Sequence, residues 1–189
     1  MAKYIATDLD GTLLAPLDIQ NLIPNANREI IKEFDGTIIC SGRNPSFIQG
    51  VCKELNLEEN FVAFNGAVIY KNGKQILKKK LDKEIINRII DFVKEKYDFY
   101  VIFLMSDDSK IYTLNSNKEE RQKVEEQEVI DFPRHRYISI KDEDEIYELI
   151  NENKHIVKLN IILNPIQAIK VVMHSRKMLW WAMLLIISK

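Results

Sequence analysis

Two acids stand one residue apart in "YIATDLDGTLL" (residues 4–14), where an apolar run breaks at a glycine. Asp8 and Asp10 could do two kinds of chemistry there. A pair of carboxylates attracts a hard cation, and Mg²⁺ suits oxygen donors and phosphate substrates. A carboxylate can also attack phosphorus and form an aspartyl phosphate. Gly11 lets the backbone bend or approach a ligand closely, and Thr12 adds a hydroxyl. D-x-D-G alone reads equally well as a solvated turn, since Asp and Gly both favour turns.

The elements that must position these acids alternate from the start. "KYIAT" (3–7) has the composition of a buried parallel strand. "NANREIIKEF" (25–34) has helical spacing, with Asn25 in place for an N-cap. "GTIIC" (36–40) is a second strand. "PSFIQGVCKEL" (45–55) is a helix with Pro45 in its first turn and Phe47, Ile48, Val51 and Leu55 on one face. "FVAF" (61–64) is a third strand. A βαβαβ succession implies a parallel sheet with helices on its faces, and Asp8 then falls at the carboxyl end of the first strand, where such sheets bind ligands.

Beyond residue 66 the rhythm changes. "AVIYKNGKQIL" (67–77) reads as a hairpin turning at Asn72-Gly73, and "KKKLDK" (78–83) as a charged linker. A second block follows: a helix over 82–97, strands at 99–105 and 110–115, a charged surface stretch at 117–128, a strand at 136–140, a helix at 142–153 and a strand at 155–163. Mixed in this way, the block reads as α+β.

With D-x-D-G-T-L-L directly after a buried first strand, the chain resembles the haloacid dehalogenase-like superfamily, whose signature is D-x-D-G-T at that place. The matching residues are Asp8, Asp10, Gly11 and Thr12. The resemblance implies that Asp8 is the nucleophile. It implies that Asp10 is the general acid/base that protonates the leaving alkoxide and then activates water. Mg²⁺ would be bound by the Asp8 side chain and the Asp10 carbonyl. The family's second motif is a Ser or Thr closing the next core strand and holding the phosphoryl group; "TIICSGR" supplies Ser41, followed by Gly42 and Arg43. S-G-R and "FNGA" (64–67), with Asn65, look like the Cof-type branch (subfamily IIB), phosphatases of sugar phosphates and related metabolites. The fold implied is an α/β, Rossmann-like core with an inserted α+β cap: core 1–80, cap 81–163, and an atypical segment at 164–189 returning to the core. The resemblance makes Gly11, Thr12, Gly42, Arg43 and Asn65, with Ser41, candidates for binding the phosphate of the substrate, while Arg43 and Asn65 could also serve only to stabilise their loops. Lys158 in "HIVKLN" resembles a cap-strand lysine of the branch and reads as structural.

The resemblance covers about residues 1–165. The family's third motif, a lysine, and its fourth, an acidic G-D-x-x-N-D loop, normally follow the cap, but no acidic residue lies beyond Glu152. Lys189 in "IISK" arrives too early to serve as that lysine. The abrupt change of composition near residue 173 is what a frameshift or internal stop would leave. The expectation is therefore a Mg²⁺-dependent phosphatase of small phosphorylated metabolites. The alternative is a shortened, catalytically weak or inactive relative that binds phosphate compounds or a partner. A core sheet without later strands would leave an edge uncovered and favour self-association. A phospho-accepting receiver domain is set aside, because it wants its acceptor aspartate where "FVAFNG" has Asn65.

Composition narrows the rest. The 189 residues are 46% hydrophobic and 29% charged, with 27 Lys+Arg against 28 Asp+Glu and a formal net charge of −1, so no global charge pulls toward nucleic acid. Cys40 and Cys52 read as buried thiols of a reducing, cytoplasmic setting, not as a disulfide. No signal-peptide pattern opens the chain, and "MLWWAMLLII" (178–187) is far short of the ~20 residues that span a bilayer. His135, His155 and His174 form no metal-ligand spacing.

Overall fold

The computed structural model describes residues 2–15, 23–98, 100–107, 110–116, 136–140, 143–152 and 155–163, with backbone alone at 136, 137, 139 and 143. The charged stretch 117–128, His135, His174, Lys189 and the whole segment 164–189 lie outside these residues. The chain divides into two compact units, Met1–Lys79 and Lys80–Lys189.

The first unit is built on β1 (Tyr4–Thr7), α1 (Asn25–Ile31), β2 (Gly36–Cys40), α2 (Pro45–Leu55), β3 (Phe61–Ala63), β4 (Val68–Lys71) and β5 (Lys74–Lys78). Its sheet runs β1-β2-β3-β4-β5. β1 pairs parallel with β2, and β2 with β3; β4 and β5 then join antiparallel. Asn72 (φ 50°) and Gly73 (φ 71°) make the left-handed pair that a two-residue hairpin needs.

Sequential order β1-β2-β3 with right-handed crossovers puts α1 and α2 on one face of the sheet. The side chains of one sheet face are buried accordingly: Thr37, Ile39, Phe61, Ala63 and Val68, with Phe47, Ile48, Val51 and Cys52 buried along α2. Alternate positions point the other way, and there Tyr4 is 69% and Ile38 39% exposed. This corrects the expectation of a buried first strand. Among the described residues β1 has one neighbour and one covered face.

Helix starts also differ from expectation. Asn25 is the first helical residue of α1, not its cap; Pro24 holds that position, with extended backbone (φ −58°, ψ 144°) and no side-chain bond. Proline lacks an N–H and has its φ preset, so its carbonyl opens the helix by accepting from Arg28 N at 3.1 Å. The helix closes at Ile31, and Lys32, Glu33 and Phe34 continue in tighter i→i−3 bonds of 3.1–3.2 Å.

The second unit comprises α3 (Lys83–Lys96), β6 (Tyr100–Ser106), β7 (Lys110–Asn115), β8 (Arg136–Ser139), α4 (Glu143–Asn151) and β9 (Ile156–Leu163). Its sheet has the order β8-β7-β6-β9, antiparallel except for the parallel pair β7 and β8. Ile86, Ile90 and Val93 of α3 and Ile146, Leu149 and Ile150 of α4 join Ile102, Leu104, Leu114, Leu159 and Ile161 in one core cluster. The opposite face carries a smaller cluster, Val101, Phe103 and Ile111. Buried on both faces, β6 reads as the unbroken apolar run "YVIFLM" for that reason. Asp82 caps α3, accepting from Glu84 N at 2.8 Å and Ile85 N at 3.3 Å. Among the described residues no helix is long and apolar enough to cross a membrane.

Candidate active site

The turn after β1 is held from beneath by its leucines. Leu9, Leu13 and Leu14 are buried, while Asp8, Asp10, Gly11 and Thr12 between and beside them are exposed. Leu13 N donates to Asp8 O at 3.3 Å, Thr12 N to Leu9 O at 3.2 Å and Leu14 N to Leu9 O at 2.8 Å. Gly11 sits at φ 76°, and a Cβ there would meet nothing within 4 Å, so the glycine answers a demand of conformation, not of space. Asn27 of α1 pins the turn, donating from Nδ2 to Thr12 O at 2.8 Å and Leu13 O at 3.1 Å. Apolar anchors thus hold two carboxylates in solvent, which avoids the cost of burying them.

The loop after β2 is fixed by backbone bonds to its neighbour. Ser41 N donates to Val62 O at 2.9 Å, and Ser41 O accepts from Asn65 N at 3.1 Å. Ser41 is buried, and its Oγ accepts from Arg43 N at 3.2 Å. Gly42 is half-buried between them. Asn44 then caps α2, its Oδ1 accepting from Phe47 N at 2.8 Å, with Pro45 in the first turn. Asn44 escaped the sequence reading, although an Asn directly before a first-turn proline is the signal that finds it.

After β3 the chain makes a single tight turn, Phe64–Gly66, in which φ is 50° at Phe64, 56° at Asn65 and 99° at Gly66. A buried phenylalanine in the left-handed region is strained, and it is held there by its N–H donating to Arg43 O at 3.1 Å. Asn65 is exposed, with its backbone tied to Ser41.

Three parallel strands therefore bring Asp8, Ser41 and Asn65 to one end of the sheet. The electrostatics agree: burial first, then the Asp8 charge, raises the Cys40 thiol at the end of β2 above its ordinary range. Arg43 reaches back to the first loop. Its Nε lies 3.1 and 3.2 Å from the two Asp10 carboxylate oxygens, and its Nη2 2.6 Å from Oδ1. The guanidinium lies over the Phe47 ring, 4.1 Å from its centroid. No pattern in the sequence pairs residues 10 and 43, because the contact is made only when β1 and β2 align.

As a cation site, the exposed Asp8 and Asp10 offer oxygen donors from one loop, the donor type Mg²⁺ takes. Among the described residues no group of three His, Cys, Asp or Glu could hold a metal ion, so a cation here would draw its other ligands from water, from a phosphate or from residues outside the described set. Lys158 lies on β9 and His155 immediately before it, where His155 Nδ1 is 3.5 Å from Asp107 Oδ2.

Known proteins resemble this chain in sequence and in fold. A curated relative from Buchnera aphidicola, provisionally named a phosphatase, is 33% identical over 124 residues, which is 62% of this chain and 43% of the relative. The chain thus spans less than half the length of that relative. A solved haloacid dehalogenase-like hydrolase from Bacteroides thetaiotaomicron superposes with a TM-score of 0.66 at 20% identity, over 93% of this chain and 63% of the other. A solved subclass IIB sugar phosphatase of that superfamily gives a TM-score of 0.60 at 19% identity, over 83% of this chain and 57% of the other. These structures show a common fold. The family model that matches residues 5–179 takes in the Asp8–Asp10 turn and the Ser41–Arg43 loop, and by that match the chain belongs to the haloacid dehalogenase-like hydrolases.

Proposed function

We propose that the protein is a Mg²⁺-dependent phosphatase of small phosphorylated metabolites, sugar phosphates among them. One observation carries the reading: parallel strands β1, β2 and β3 deliver Asp8, Ser41 and Asn65 to one sheet end, in a chain of this hydrolase family. A carboxylate oxygen of Asp8 attacks phosphorus. The ester P–O bond breaks as the Asp8 O–P bond forms, and Asp10 gives its proton to the leaving alkoxide. Asp10 then takes a proton from water as the water attacks phosphorus, and inorganic phosphate leaves. The buried Ser41 and the backbone at Gly42 receive the phosphoryl oxygens, and the hydroxyl of Thr12 and the backbone at Gly11 and Asn65 line the same end. Asp8 and the Asp10 carbonyl would hold Mg²⁺, which when bound offsets the repulsion between carboxylate and phosphate dianion. Phosphoryl transfer needs positioning and charge balance more than elaborate covalent machinery, and the rigid loop backbone supplies the positioning.

Two further parts of the reading rest on separate observations. A cytoplasmic setting is supported by the free thiols Cys40 and Cys52. Self-association is supported by the β1 side of the first sheet, where, among the described residues, no further strand pairs and Tyr4 and Ile38 stand exposed. The experiment that tests the reaction is phosphate release from p-nitrophenyl phosphate, with and without Mg²⁺, beside Asp8→Asn. Turnover that needs Mg²⁺ and disappears in the variant is the expected result. Turnover equal in both proteins would refute it, and none in either would leave a phosphate-binding relative without catalysis.

A further inference from the structure

The reaction requires Asp10 to aim first at a leaving group and then at a water. Yet the Asp10 side chain is 42% exposed on a solvated turn, and a carboxylate so placed would sample several rotamers. The Arg43 side chain that meets it is only 8% exposed. An arginine is ordinarily the most mobile of surface groups. This one is restrained at both ends: its N–H bonds Ser41 Oγ, its carbonyl accepts from Phe64 N, and its guanidinium rests on Phe47. Phe47 is itself buried, 6% exposed, on the capped first turn of α2. The Nε–Nη2 edge of the guanidinium, a planar pair of donors, faces both oxygens of Asp10.

We propose that Arg43 is a positioning residue for Asp10: held by the Phe47 ring, the Ser41 hydroxyl and the Phe64 N–H, its Nε–Nη2 edge fixes the orientation of the acid/base carboxylate. The sequence motif alone made Arg43 a candidate phosphate ligand. In the structure two of its donors are committed to a carboxylate, whose charge offsets that of the guanidinium. A lysine would keep the charge but lose the planar two-point contact. The catalytic consequence rests on the phosphatase reading above; the pairing itself does not.

Two readouts keep these apart. In a ¹H–¹⁵N spectrum of the whole chain, one arginine Nε–H should be protected from exchange with water. It is assigned by its loss in Arg43→Lys. It should persist in Asp8→Asn and vanish or broaden in Asp10→Asn, whose remaining spectrum shows whether that variant folds. An Arg43 signal unchanged in Asp10→Asn would overturn the proposal whether or not the protein turns over. In the phosphatase assay, Arg43→Lys and Arg43→Ala should lose about tenfold or more in kcat while KM stays within about threefold, and methylguanidinium should restore part of the Arg43→Ala rate. A KM raised tenfold at unchanged kcat would make Arg43 a substrate ligand and overturn it. If the wild type shows no turnover while the Nε–H signal depends on Asp10, the phosphatase reading falls and the pairing stands.

Discussion

Cys52 shows how one residue's surroundings set its chemistry. It is 1% exposed, and burial, then the charge of Glu59, pushes its thiol above its ordinary range, up to about 11. The folded state therefore holds this proton more tightly than the unfolded chain does. That contribution is fully present below the ordinary thiol pKa and is lost as pH rises through the folded value. Stability measured by urea unfolding should fall between pH 9 and 11 by up to about 2 kcal/mol more in the wild type than in Cys52→Ala. Equal pH slopes in the two proteins would show that Cys52 is not responsible. Cys40, raised by burial and by Asp8, shows the same physics beside the candidate site. Neither thiol has the electropositive surroundings that make a cysteine reactive.

Among the elements, α2 matters most to the site, because its first turn carries both the loop that holds Ser41 and the ring beneath Arg43. Its start depends on Asn44, 3% exposed, whose Oδ1 satisfies Phe47 N. Asn44→Ala should cost about 1–2 kcal/mol, read as a lower urea midpoint, and Asn44→Ser should recover most of it by restoring an acceptor. If Asn44→Ser were as damaging as Asn44→Ala, the cap would not be the cause. In the second unit, α3 and α4 are joined by more than apolar packing: Tyr147 Oη donates to Asp91, and Lys94 lies 5.1 Å from the centre of the same ring. That hydrogen bond and burial both hold the Tyr147 phenol above its usual range, burial being the larger cause.

At the scale of the molecule, the two edges that the first sheet has among the described residues differ in kind. β5 ends its sheet with Lys74 and Lys78, charges that discourage pairing with a further strand. β1 is Tyr-Ile-Ala-Thr, with nothing of that sort along it, and beside it Ile38 is 39% exposed. An edge of this composition is suited to being covered. In sedimentation velocity the wild type should show a coefficient that rises with concentration, and Ile38→Lys should flatten that rise while changing the urea midpoint by no more than about 0.5 kcal/mol. A concentration-independent wild type would remove self-association from the proposed function.

Local pattern was enough to place the strands and helices of both units, the Asn72-Gly73 turn and the order of the loops that carry Asp8, Ser41 and Asn65. Each depends on side-chain period or on a residue's own backbone preference, which neighbours in sequence carry. The start of α1 was misread because Asn25 and Pro24 both suit a helix start, and only backbone geometry shows that the proline carbonyl takes the first bond. The exposure of β1 escaped for a different reason: an apolar strand looks the same whether one face or two are covered, and coverage depends on the hand of the crossovers. The Arg43–Asp10 pair was beyond any motif. It joins residues 33 apart through a guanidinium supported from below, and that support comes from the packing of α2 against the sheet.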